Sequence, residues 1–500
     1  MDQFAILILD VAVILFGLVL LAGIVSVLVM YIVDKNQTDH TIRRNFPVLG
    51  RFRYFFEYMG EFFRQYFFAM DREELPFNRA QRSWAYRAAK NVDNTVAFGS
   101  SRDIHKPGAV FFLNTPYPTL KEDAVESPAL EVGPYCRQPF MAKSILNISG
   151  MSYGALSIPA VTALSTGAKM AGCWMNTGEG GLSPYHLSGG CDIVMQIGTA
   201  KYGVRDEHGQ LSDDKLRQLA AIEQVRMFEI KLSQGAKPGK GGILPAEKVN
   251  AEIAEIRGIP VGKDSISPNR HPEINSPQDL LEMIARVREV TGKPVGIKFV
   301  LGTHDWLDEL FTEINHRGEA SAPDFITIDG AEGGTGAAPM PLMDSVGLSL
   351  KESLPLVVDM LKAFGLRDRV RVIASGKLIN PTEVAWAIAI GADFCVTARG
   401  FMFALGCIQA LQCNKNTCPS GITTHDTKLN GGLNPADKSV RVKQYHQNLI
   451  NELGVIAHSC GAKEPRGLHR HHAHMVTATG LSENLARLYP GNYIPLREKN

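Results

Sequence analysis

The chain has 500 residues, 45% of them hydrophobic and 21% charged, with a formal net charge of +1 at pH 7. That composition supplies the core of a barrel-sized enzyme domain with extensions and excludes a largely disordered chain. A near-neutral chain without a long basic block is not built to hold nucleic acid.

Val11 to Val33 is an uncharged run of 23 residues rich in Val, Leu and Ile. As a helix it is about 35 Å long, more than the roughly 20 residues a bilayer requires. No Lys or Arg precedes the run and no small-x-small cleavage site follows it, so residues 1–34 are expected to be a single-pass membrane anchor rather than a cleaved signal. Asp10 lies at its outer edge, where a charge reaches the interface at modest cost. Lys35, Arg43, Arg44, Arg51 and Arg53 outnumber Asp34 and Asp39 behind the run. By the positive-inside bias, the bulk of the chain faces the cytoplasm.

Residues 35–135 read as a membrane-proximal helical and irregular region. Within it, RFRYFFEYMGEFFRQYFF places Phe52, Phe55, Phe56, Met59, Phe62, Phe63, Tyr66 and Phe67 at spacings of three and four, opposite Arg53, Glu57, Glu61 and Arg64. This is an aromatic-faced amphipathic helix. It suits the lipid interface and a protein core equally.

From residue 136 to 425 the chain alternates short apolar runs with helical patterns. The runs SILNISGMSYG, CWMNTGEGG, IVMQIGTAKYG, MFEIKLSQGAKPG, PVGIKFVLG, DFITIDGAEGGTG, VRVIASGK and FCVTARG each end in glycine or polar residues. The segments between them, such as SPQDLLEMIARVREVTG and PTEVAWAIAIGA, repeat apolar residues at three and four. Buried strands alternating with helices pair in parallel, and eight such units predict an α/β fold closed as a (β/α)8 barrel of TIM type. A doubly wound sheet would carry GxGxxG after its first strand, and none occurs there.

Chemistry in a barrel sits at the carboxyl ends of the strands. In chain order those ends offer Met151 and Ser152, Thr177 and Glu179, Gln196, then Lys231, Gln234 and Lys237. Lys298 follows on the fifth strand, Asp329, Glu332, Gly333 and Gly334 on the sixth, Ser375 and Gly376 on the seventh, and Ala398, Arg399 and Gly400 on the eighth. Glycine-bearing ends of the last two strands are the usual phosphate cradle, because backbone N–H groups converge there without side chains in the way.

Just beyond the eighth strand, RGFMFALGCIQALQCNKNTCPSG sets Cys407, Cys413 and Cys418 in a C-x5-C-x4-C spacing closed by Pro419. The other five cysteines, Cys136, Cys173, Cys191, Cys395 and Cys460, show no framework pattern, which fits a reducing compartment. Three clustered thiolates point to an iron–sulfur centre; a structural zinc wants four ligands, usually in CxxC pairs that this segment lacks. Spacing alone leaves three-iron and four-iron clusters open. Lys298, a cation on an otherwise apolar strand, suits the N1/C2 edge of a reduced flavin as well as a plain salt bridge. Beside a phosphate cradle and an electron-carrying cluster, FMN is the cofactor expected, since a flavin converts single electrons into a hydride.

Residues 426–500 read as a helical extension. It contains His469, His471, His472 and His474, which without a carboxylate or cysteine at fixed spacing read as a surface or interface cluster. Arg270 and His271 in SPNRHPEI are expected in a loop near the barrel mouth.

The stretches GMSYGALS, NTGEGG, KLSQGAKPGKGGILPAEKV, SPNRHPEINSPQDL, DGAEGGTGAAP and GCIQALQCNKNTCPSGI resemble the FMN-binding glutamate synthase family, the synthase domain of the glutamate synthase large subunit. The resemblance runs from about residue 140 to 425. It implies a [3Fe-4S] cluster on Cys407, Cys413 and Cys418, and amination of 2-oxoglutarate by ammonia to 2-iminoglutarate, reduced by FMN to L-glutamate. It places Glu179 beside the substrate; a dicarboxylate needs cations, for which Lys231, Lys237 and Lys248 in the region of the fourth strand are expected, with Gln234 to orient it. The glycines of PGKGG suit a loop lying close over substrate or cluster, or a tight turn.

Full glutamate synthases begin with a glutaminase domain whose nucleophile is an N-terminal cysteine, whereas position 2 here is Asp2. Ammonia is therefore expected from solution or a glutaminase partner, and electrons from a ferredoxin or a membrane carrier. Two alternatives stand beside this expectation. One is a related flavoenzyme using another amine or 2-oxo acid, such as an N-methylglutamate synthase; the other is an electron-transfer subunit without turnover.

Overall fold

The computed structural model describes residues 2–93 and 95–496, apart from the side chains of Asp2, Glu61, Phe62 and Gln65. Phe62 and Glu61 of the expected amphipathic helix thus lie outside the described side chains. The chain divides into two units, Met1–Ala80 and Gln81–Asn500.

In the first unit, helix α1 (Asp2–Asn36) carries the apolar run with its side chains exposed. Its last turn holds the buried carboxylate of Asp34, which accepts from Arg43 Nη2 at 2.7 Å, Arg51 Nε at 2.8 Å and the Val48 N–H at 3.0 Å. Val48 takes φ 66°, a conformation that a β-branched residue adopts only when held there. The same carboxylate thus fixes the bend between α1 and helix α2 (Leu49–Phe63), which runs into a π-helical turn at Arg64–Phe68. The expected aromatic helix forms. Phe52, Phe55, Phe56 and Phe67 all stand exposed along it.

The second unit is built on the barrel. Its strands are β1 (Leu146–Ile148), β2 (Met175–Asn176), β3 (Ile193–Ile197), β4 (Val225–Lys231), β5 (Val295–Phe299), β6 (Phe325–Asp329), β7 (Arg371–Ser375) and β8 (Phe394–Thr397). They close in sequence order, all parallel, with β8 paired to β1 through Val396 and Asn147. Six helices predicted between the runs form, among them α3 (Ile158–Ala171), α4 (Asp213–Ala220), α5 (Pro277–Thr291) and α6 (Asp305–Arg317). Ser212, Ser276 and Asn380 cap three of them by accepting N3 N–H groups, which satisfies donors the first turn leaves orphaned. A hairpin of Leu130–Val132 and Phe140–Ala142 packs Val132 and Ala142 against Trp174, Met227, Phe325 and Phe394. This apolar plug closes the amino-terminal end of the barrel and leaves the carboxyl end open.

One feature departs from the helical and irregular flanks expected. Val110–Phe112 pairs antiparallel with Ala473–Val476, so segments some 360 residues apart form one small sheet. Helix α7 (Pro435–Ser459) of the C-terminal extension lies on α3, where a Cβ on Gly167 would stand 2.5 Å from the Val442 side chain. The histidine cluster lies at the surface, with the His471 and His472 rings 3.9 Å apart. Burial and the charges of His471 and His469 hold the His472 ring below its ordinary value. His474 bonds Ser482.

Candidate active site

The strand ends surround an open cavity of about 520 Å³, counting its solvent-filled mouth. Gln196, Gln234, Lys298, Gly333, Gly334, Ser375, Gly376, Ala398 and Arg399 line it, as the strand-end rule expects. Ser149, Gly150, Lys377 and Thr397 line it as well and were not singled out from the sequence. Met151, Ser152, Thr177 and Gly400 are not among the residues that line it. Thr177 Oγ1 accepts from the Gln196 N–H and donates to the Gly178 carbonyl, while Gly178 packs on the Ser152 backbone. Gly400 faces Tyr445, whose hydroxyl a Cβ there would meet at 2.1 Å.

Beneath the cavity a polar layer crosses the barrel. Glu229, buried on β4, accepts from Asn176 Nδ2 at 2.8 Å, Gln196 Nε2 at 2.7 Å and Thr327 Oγ1 at 2.7 Å. At the rim, Asp329 sits 3.5 Å from Lys298 Nζ and accepts from Ser375 Oγ at 2.7 Å and the Gly235 N–H at 2.9 Å. One wall combines the glycines 333, 334 and 376 with the cations Lys377 and Arg399. Burial lowers both cations, Arg399 to about 10. A Cβ on Gly334 would stand 2.9 Å from Arg399 Nη1. This is a small-residue cradle with positive charge at its edge, fitted to a phosphate.

The glycines also let two loops touch backbone to backbone. A Cβ on Gly235 would lie 2.3 Å from the Gly330 carbonyl oxygen and 2.7 Å from the Gly333 Cα. Neither neighbour can swing aside as a flexible side chain does. Gly235→Ala is therefore expected to destabilise the barrel by roughly 2–3 kcal/mol, seen as a lower urea midpoint with an unchanged slope.

Next to Gln234 lies a second constellation. Glu179 accepts from Lys231 Nζ at 2.6 Å and Lys237 Nζ at 3.2 Å. Lys231 Nζ also donates to Gln234 Oε1 at 3.1 Å, and Gln234 Nε2 donates to the Gly334 carbonyl at 3.1 Å. Both lysines are buried. Burial pushes the Glu179 carboxyl up, but the two ammonium groups outweigh it and hold the acid well below the usual carboxylate range. Burial lowers Lys231, with Glu179 opposing. Gly242 of PGKGG lies over this group, since a Cβ there would reach 2.4 Å from Glu179 Oε1. His271 lies buried below, its Nε2–H donating to the Lys231 carbonyl at 3.1 Å, and desolvation lowers its ring to about 4.

Lys248 does not join this group. Its Nζ donates to the carbonyls of Cys413 at 2.8 Å and Thr423 at 2.6 Å, because the turn Ala246–Lys248 runs under the cysteine segment. All eight cysteines are free thiols. Cys407, Cys413 and Cys418 interact electrostatically. Burial pushes Cys407 up to about 12 and raises Cys413. Burial also acts upward on Cys418, but hydrogen bonds from Ser420 and Thr423 outweigh it and bring that thiol below its ordinary value. Gln409, Leu411 and Asn416 adopt φ of 59°, 55° and 56°, and the Gln409 N–H donates to Cys407 Sγ at 3.5 Å. Turns of this kind aim backbone N–H groups at anionic sulfur. Among the described residues, no three His, Cys, Asp or Glu side chains are grouped to hold a single metal ion.

A family model described as the conserved region in glutamate synthase matches residues 110–463. The glutamate synthase large subunit-like protein YerD of Bacillus subtilis is 42% identical over 482 residues, 89% of this chain and 91% of that protein. The archaeal glutamate synthase [NADPH] of Methanocaldococcus jannaschii is 35% identical over 338 residues, 67% of this chain and 62% of that protein. The chain thus spans less than two thirds of the archaeal protein's length. Among solved structures, mandelate oxidase with (S)-4-hydroxymandelic acid overlaps at a TM-score of 0.47 and 16% identity, over 79% of this chain and 99% of that one.

Proposed function

The chain belongs to the glutamate synthase family, and we propose that it is a membrane-anchored oxidoreductase of the CH–NH2 class, forming L-glutamate from 2-oxoglutarate and ammonia. The observation that carries this reading is the Glu179–Lys231–Lys237–Gln234 group, with both lysines buried, beside the glycine cradle. Two ammonium groups around one carboxylate leave a net positive charge, which suits a dicarboxylate substrate. Lys231 and Lys237 hold its carboxylates, and Gln234 fixes its orientation. Glu179, held ionised by the two lysines, accepts a hydrogen bond from the attacking ammonia and orients it as water leaves to give 2-iminoglutarate.

Gly333, Gly334, Gly376, Lys377 and Arg399 hold the phosphate of FMN, and Lys298 its anionic ring edge. Cys407, Cys413 and Cys418 hold a [3Fe-4S] cluster. When bound, FMN would supply a hydride to the imine carbon while the nitrogen takes a proton, and the cluster would pass the flavin single electrons from a ferredoxin or membrane carrier. The length and exposed apolar surface of α1 support the anchor, with the barrel on the cytoplasmic side.

The test is anaerobic. Protein reduced by dithionite and freed of excess is mixed with 2-oxoglutarate and ammonia, and flavin absorbance is followed. Recovery of the oxidised spectrum is expected. Faster recovery with methylamine would reassign the amine, and cofactor-loaded protein that no 2-oxo acid reoxidises is an electron-transfer subunit instead.

A further inference from the structure

Lys248 is 2% exposed and, among the described residues, has no carboxylate partner. An ammonium withdrawn from water costs several kcal/mol unless its charge and donors are met. Two donors are met by the Cys413 and Thr423 carbonyls, which lie on either side of Cys418 in the chain. Its electrostatic neighbours are the thiol groups of Cys413 and Cys418. This is a buried cation aimed at a cysteine segment and spent on no substrate.

We propose that Lys248 is a positioning residue for the iron–sulfur centre: its ammonium ties together the two arms of the cysteine segment and sets a fixed positive charge beside the thiolates. The inference rests on the cluster assigned above. An electron added to a thiolate-bound cluster makes it more negative, so a buried cation favours the reduced form and raises the potential. A lysine that only braced the loop would leave the potential where it was.

The experiment compares full-length wild type, Lys248→Met and Lys248→Arg, each purified with its cofactors. Iron, sulfide and FMN are quantified, and the cluster is titrated potentiometrically by electron paramagnetic resonance. Lys248→Met is expected to keep FMN and lower the reduced-to-oxidised ratio at fixed potential at least tenfold, about 59 mV for one electron. Lys248→Arg should restore most of it. A ratio within threefold of wild type in a loaded Lys248→Met protein overturns the proposal alone. Wild type that holds neither iron nor sulfide overturns the cluster assignment and this inference with it. Should Lys248→Met fail to fold, judged by its FMN content, Lys248→Gln removes the charge while keeping donors for the carbonyls.

Discussion

Lys231→Met is expected to lower kcat/KM for 2-oxoglutarate by roughly 100- to 1,000-fold, the scale of losing about 3–4 kcal/mol of preorganised electrostatic stabilisation. Lys231 is the shorter of the two contacts to Glu179 and also bonds Gln234, so its loss removes one hydrogen bond from each side chain at once. Removing Lys231 leaves the Glu179 carboxylate to Lys237 alone, so the stability cost should fall below the roughly 3–5 kcal/mol of stranding a buried charge outright. The pH dependence follows. Glu179 is held below its ordinary 4.5 in the folded chain, so the pair stabilises the fold fully above that value. The contribution fades as pH falls through the lower folded value. Without Lys231 the folded value rises, and the acid limb of a thermal-unfolding profile should move up in pH. FMN content should hold, because Lys231 does not line the cradle cavity. An unchanged kcat/KM in the folded variant would remove Lys231 from the substrate site.

The second large effect is expected at the cysteines. Cys413→Ala should abolish bound iron and sulfide and reduce turnover from a one-electron donor to background, while the barrel keeps its flavin. The separation is structural: the thiols lie beyond β8 and none lines the cavity. Cluster-binding segments lose their centre when one thiolate ligand is removed. Direct reduction by dithionite should still bleach the flavin of the variant. Iron retained at the wild-type ratio would show that Cys413 is not a ligand.

Eight strands and the helices between them were legible because the barrel repeats one local pattern, a buried run, a glycine-rich end and a helix of period 3.6. The cradle was legible for the same reason, since strand ends are marked by their glycines. What failed to show was direction. Thr177 stands at a strand end as Gln196 does, yet its hydroxyl turns to the neighbouring Gly178 carbonyl. Ser149 and Gly150 at the end of β1 line the cavity instead of Met151 and Ser152. Lys248 was grouped with Lys231 and Lys237 by proximity in sequence; a single turn carries it under a segment 165 residues away. Nor did any local signal join Val110–Phe112 to Ala473–Val476, because the partner of an edge strand is not written in the strand itself.

The layer around Glu229 carries a consequence for how such a chain can vary. Asn176, Gln196 and Thr327 all donate to that one buried carboxylate, so changing any one alone strands a polar atom away from water. Double-mutant cycles among these four residues should be strongly non-additive. Drift through this layer must then proceed by joint replacement, and a relative differing at one of the four positions is expected to differ at a second.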